Sequence, residues 1–91
     1  MQVPDEFKPI FRRFDQSISY LYPSFEEAVA SIVNVHDAKL KARFASYLDE
    51  LISGSYSLDE LDSVWKNSSA EVFISGGGAL QIFKLMRSLM D

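Results

Sequence analysis

The sequence predicts an all-α fold, a compact bundle of about five short helices forming one helical domain over residues 1–91. Three observations predict it. Apolar residues recur at steps of three and four in five separate stretches, the spacing of one helix face. Ser24–Glu27 and Ser57–Glu60 read as capping boxes, and Asp37 as a further N-cap. No convincing pair of strands can be drawn anywhere.

The first helix follows from Phe7, Ile10, Phe11, Phe14 and Ile18. Pro9 is tolerated only in a first turn, so the helix is expected to start between Glu6 and Lys8. Tyr20-Leu21-Tyr22 ends it, because the residue before Pro23 disfavours helical angles. Ser24 opens the second helix, with Phe25, Ala28, Val29, Ile32 and Val33 on one face, and Asn34-Val35-His36 closes it. Asp37 caps the third and longest, whose apolar positions are Leu40, Phe44, Tyr47, Leu48, Leu51 and Ile52. Gly54 supplies its left-handed terminator. Ser57 opens the fourth, with Leu58, Leu61, Val64 and Trp65 as the buried stripe, and Asn67-Ser68-Ser69 breaks it. Val72-Phe73-Ile74 is either an extended plug on the core or the end of a helix. Ser75-Gly76-Gly77-Gly78 reads as mobile turn material. The last helix is expected from about Ala79 to Met90, with Leu80, Phe83, Met86, Leu89 and Met90 facing inward.

Composition narrows the function. The chain is 47% hydrophobic, with seven Phe, four Tyr and one Trp, enough apolar mass for a core. The absence of cysteine excludes a disulfide framework, a thiolate zinc site and a cysteine nucleophile together, and fits a reducing compartment. The N-terminus shows neither a basic region nor an apolar one, and the apolar runs are far too short to span a membrane. A soluble, cytoplasmic protein with no membrane partner is the expectation.

The formal net charge of -4 is unevenly spread. Residues 1–43 hold six acids and six bases, whereas residues 44–75 hold six acids (Asp49, Glu50, Asp59, Glu60, Asp62, Glu71) against Lys66 alone. A field of that sign repels phosphate backbones, so no nucleic-acid partner is expected and a basic protein is favoured.

Catalytic and metal-binding constellations are not visible. His36 is the single histidine, and Lys39 and Leu40 stand where a second ligand would be needed; it reads as a solvated residue before a cap. Neither a Ser-His-Asp set with a nucleophile elbow nor the Lys-Ser/Thr that completes a phosphate loop is present, since Ala79-Leu80 follows the glycines. The paired carboxylates Glu26-Glu27 and Asp59-Glu60 lie in first helical turns, where they complement the helix dipole. No enzymatic activity, metal or cofactor is expected.

The third helix breaks a local rule. Lys39, Lys41 and Arg43 lie in its first two turns and Asp49 and Glu50 in its last, the reverse of what the dipole favours, at a cost on the order of 0.3–1 kcal/mol each. Two explanations stand side by side. Arg12 and Arg13 of the first helix neutralise Asp49 or Glu50 within the fold. Alternatively, the short link Ser53-Gly54-Ser55-Tyr56 brings Asp49 and Glu50 beside Asp59, Glu60 and Asp62, giving an acidic partner-binding face around Tyr56. Tyr56 is equally a packing residue of the link.

The order of motifs is Phe14-x-Gln16, then Tyr22-x-Ser24-x-Glu26-Glu27-Ala28, then Leu48-Asp49-Glu50-Leu51 and Leu58-Asp59-Glu60-Leu61. Over roughly residues 7–90 it resembles the small all-helical immunity proteins of contact-dependent growth inhibition systems (CdiI type). The chain departs from that family at Ser17 and Ser19, where acidic residues are common, and at Leu80 and Phe83, where a tryptophan is common. The resemblance implies a bacterial, cytoplasmic inhibitor that binds the C-terminal toxin domain of a cognate surface effector as a heteromeric complex. Many such toxins are nucleases with basic clefts, which an acidic surface would cover. Two rival readings are a non-enzymatic helical adaptor or scaffold subunit that binds a basic protein, and a small helix-turn-helix regulator. The acidic middle of the chain argues against the last.

Overall fold

The computed structural model describes residues 3–72, 74 and 76–90, with Ser19 through its backbone only. The chain is an all-α globule, and no strand occurs among the described residues. The helices are α1 (Lys8–Phe11), entered through a 3-10 turn at Asp5–Phe7, then α2 (Ile18–Leu21), α3 (Phe25–Val33), α4 (Ala38–Leu51), α5 (Leu58–Lys66) and α6 (Gly78–Ser88). Helix α6 packs against α3, α4 and α5, while α1 and α2 lie on α3. No helix among the described residues is long and apolar enough to cross a membrane.

The core is aromatic. The Trp65 ring meets Phe14 at 5.1 Å, Phe11 at 5.9 Å and Phe83 at 6.0 Å between centroids, all edge-on. Phe44 meets Phe7 at 5.2 Å and Phe11 at 5.7 Å in the same manner. Edge-to-face pairs of this kind add about 0.5–1.5 kcal/mol each beyond area burial. Val29, Ile32 and Val33 of α3, Leu48 and Leu51 of α4, and Met86 of α6 complete it. The apolar series read from the sequence is thus buried or half-buried, with two exposed exceptions at helix starts. Phe25 is 42% exposed and Leu58 51% exposed. Each is the first residue of its helix.

Caps behave as side-chain chemistry dictates. Asp37 accepts from the Lys39 and Leu40 amides. Ser57 and Glu60 form the reciprocal box, at 3.1 and 3.0 Å. At Ser24 only the half in which its hydroxyl accepts the Glu27 amide forms. Gly54, three residues past Leu51 at the end of α4, has φ +97, a left-handed angle that a Cβ disfavours.

The first expected helix is interrupted. Its apolar face is buried as drawn, through Phe7, Ile10, Phe11 and Phe14. Between Arg12 and Ser17, however, the chain leaves the helix. Two causes combine. The Asp15 carboxylate accepts from both the amide and the hydroxyl of Ser17, a local turn that competes with helix continuation and holds the Asp15 carboxyl below its ordinary range. The Phe14 carbonyl, which a continuing helix would give to Ile18, instead accepts the distant Glu71 amide at 2.9 Å, while the Ile18 amide goes to Asp15. Tyr20 and Leu21 accordingly belong to a separate turn, α2, and Tyr22 is extended before Pro23.

Between α5 and α6 the described residues are not helical. Val72 and Ile74 are half-buried against the core. The Trp65 indole donates to the Val72 carbonyl at 2.8 Å, so this stretch lies on the core as a non-helical plug at those two residues. Phe73 and Ser75 lie outside the described residues.

Candidate functional site

Two of the five reversed charges of α4 are paired inside the fold, by partners other than Arg12 and Arg13. Arg43 pairs with Glu6 at 3.0 Å, and Asp49 with Arg87 of α6 at 2.9 Å. Both pairs are well exposed and contribute no more than about 1 kcal/mol each. Arg13 turns instead to the Ser31 carbonyl.

The residues expected to form one acidic face divide into three groups. Glu50 accepts a hydrogen bond from the Tyr56 hydroxyl at 2.9 Å. That bond, then desolvation and the charges of Glu50 and Glu60, holds the Tyr56 hydroxyl above its usual range. Glu50, Tyr56 and Glu60 therefore do gather at the α4–α5 link. Asp49 is drawn away to Arg87. Asp59 and Asp62 lie on another side of α5, where they line a groove with Lys66 and Glu71 over a floor that includes Trp65 and Val72. The groove encloses about 520 Å³. Three acidic residues and one lysine line it.

Asp62 has a structural task as well. Its carboxylate accepts the Gly77 amide at 2.8 Å and the Ala79 amide at 3.2 Å, so it caps the start of α6 from a different helix. Two of the amides at the start of α6 are thereby met by the chain's own carboxylate, which also repels an external anion from the glycine run. Gly77 itself has φ +85, and a Cβ there would come within 3.0 Å of the Leu58 side chain. The glycines thus build a held turn at Gly77.

Glu71 and Trp65 were absent from the sequence-derived site. Glu71 belongs to the acidic run, but its place at the groove depends on the tertiary bond of its amide to Phe14, which no local pattern announces. Among the described residues, no three His, Asp or Glu side chains are grouped to hold a metal ion.

A half-buried tyrosine adjoins the α4–α5 cluster. The Tyr47 hydroxyl is buried and has no hydrogen-bond partner among the described residues. Desolvation, then the charges of Glu50 and Tyr56, pushes its pKa up to about 12 from an ordinary 10.0. Between these values the unfolded chain releases the proton and the folded chain keeps it, so stability falls as pH rises through that window. Tyr47→Phe is expected to raise stability at neutral pH by up to about 1 kcal/mol and to flatten the alkaline decline. Urea melts at about pH 9 and about pH 11 check this, and an unaltered slope contradicts it.

Comparison with protein-family models, with curated proteins and with solved structures finds no match to the chain.

Proposed function

We propose that this chain is a cytoplasmic immunity protein that binds and neutralises the C-terminal toxin domain, a basic nuclease, of a cognate contact-dependent growth inhibition effector. It acts by binding and carries out no reaction of its own. The observation that carries the reading is the groove lined by Asp59 and Glu71, with the α6-capping Asp62 between, where Lys66 is the sole cation beside Trp65 and Val72. The exposed Glu50, Tyr56 and Glu60 cluster at the neighbouring link adds to the same sign of field. Such a surface attracts a positively charged cleft and repels its nucleic-acid substrate, so occupying the cleft and excluding the substrate become one act. The order of sequence motifs supplies the kind of partner; the charge supplies its sign.

The first test is co-purification with the product of the gene immediately upstream. A large surface effector with a variable C-terminal domain that is captured and silenced supports the proposal. A housekeeping subunit in its place supports an adaptor. The second test places the surface. Asp59→Lys and Glu71→Lys are expected to slow association with the toxin domain on the order of tenfold each at low salt, with helix content retained. Asp49→Lys is expected to do less, because Asp49 is already neutralised by Arg87. Calorimetry giving unchanged affinity for both Asp59→Lys and Glu71→Lys overturns this placement.

A further inference from the structure

Among the described residues, the two least sheltered large apolar side chains lie at the α2–α3 corner. Tyr20 is 89% exposed and Leu21 69% exposed, and Phe25 follows four residues later. Large apolar groups clustered in water mark a surface that something covers. Here they do not hang from a loose loop. The Tyr22 hydroxyl lies 3.0 Å from Ser31 Oγ, Pro23 fixes the backbone angle between the helices, and Ser24 caps α3. Tyr20 and Phe25 line a second groove of about 610 Å³, together with Asp15, Pro23 and Val72.

Val72 belongs to both grooves. It lines the aromatic groove and the acidic one alike, so the two adjoin along it. Across the pair of grooves Asp59 and Glu71, with Asp15 and Asp62 already hydrogen-bonded to Ser17 and to the start of α6, stand against Lys66 as the sole cation among the lining residues. The sign selects the occupant. A second copy of this chain would set carboxylates against carboxylates, an anionic lipid surface would be repelled, and so would nucleic acid. A segment carrying both cations and an apolar anchor satisfies the two halves together.

We propose that the two grooves form one docking surface for a basic protein segment, which lays cationic side chains along Asp59 and Glu71 and buries an apolar side chain between Tyr20 and Phe25. The inference rests on the reading of a basic protein partner given above, and it states where that partner's grip lies. The carboxylates set the rate of encounter, and the aromatic half sets the lifetime of the complex. Tyr20 is 89% exposed and Phe25 is 42% exposed at the first position of α3, so serine at each is expected to keep the fold, which the amide spectrum of each variant checks.

The probe is a blocked peptide in which the unit Arg-Phe-Arg-Leu is repeated three times, titrated into the isotopically labelled full chain and followed by amide NMR. Shifts are expected to concentrate at Tyr20, Phe25, Asp59, Glu71 and Val72. The Tyr20→Ser, Phe25→Ser double variant is expected to lose about tenfold in affinity at both low and high salt. The Asp59→Lys, Glu71→Lys double variant is expected to lose affinity at low salt only. Shifts confined to the Tyr56 link, no binding, or an affinity indifferent to the serine substitutions overturns the proposal. The toxin domain separates the two readings. A chain that takes the peptide on this face but leaves the toxin active refutes immunity and keeps the surface. A chain that neutralises the toxin equally well with Tyr20 and Phe25 replaced by serine refutes the surface and keeps immunity.

Discussion

Trp65→Ala is expected to cost about 3–5 kcal/mol and to lower the melting temperature by roughly 15–30 °C. Trp65 is 2% exposed, and its ring is the common neighbour of Phe11, Phe14 and Phe83. Its loss opens a cavity among three aromatic rings that are themselves held by helices or turns and cannot all collapse inward. It also leaves the Val72 carbonyl without its indole donor. A chain of this size has a total stability on the order of 5–14 kcal/mol, so the variant loses a large fraction of it. Trp65→Phe separates the two contributions. It keeps most of the ring contacts and forfeits the bond to Val72, so it is expected to fall between the wild type and the alanine variant. Circular dichroism melts of the three proteins measure the effect, and coincident curves for wild type and Trp65→Ala would show that the aromatic cluster does not hold the fold.

Asp62→Ala is expected to cost about 2 kcal/mol, from the loss of a helix cap and of bonds to two main-chain amides. The carboxylate spans from α5 to the amides of Gly77 and Ala79, so its removal unpins the start of α6. Helix α6 packs against three other helices, and the penalty therefore appears as lower global stability. Asp62→Asn is expected to recover part of it, because an amide oxygen still accepts but without the charge. Urea denaturation is the measurement. If the alanine and asparagine variants unfold at the wild-type midpoint, the cross-helix cap carries no weight.

Much of the architecture was legible in residue spacing. For α3, α4 and α5 the apolar period and the caps at Ser24, Asp37 and Ser57 agree, and the helices start where those side chains say; α6 was legible by its period alone and runs from Gly78 to Ser88, a little short of the expected Met90. Phe14 shows where spacing stops being informative. Its side chain obeys the helical period and is buried, but its carbonyl bonds to an amide 57 positions along the chain, so the helix breaks while its hydrophobic face survives. The candidate site was legible in sign and less so in position. Six acids in one stretch predict a negative surface. Which of them face solvent depends on pairings such as Asp49 with Arg87 and on the use of Asp62 as a cap, and both are settled between helices. Phe25 illustrates the opposite error. Its period places it on the buried face, but at the first position of α3 no neighbour extends far enough to cover it.

The stretch from Glu71 to Val72 has its main-chain groups committed to distant partners: the Glu71 amide to Phe14 and the Val72 carbonyl to Trp65. Those attachments depend on the peptide unit and not on the identity of the residues that carry it. The course of this irregular ribbon is thus anchored at the main chain, with the Val72 side chain adding its packing on the core. The exposed position 71 is free to be exchanged, altering which opposing surface is favoured while the scaffold beneath keeps its shape, and partner preference can drift there without a matching loss of folding.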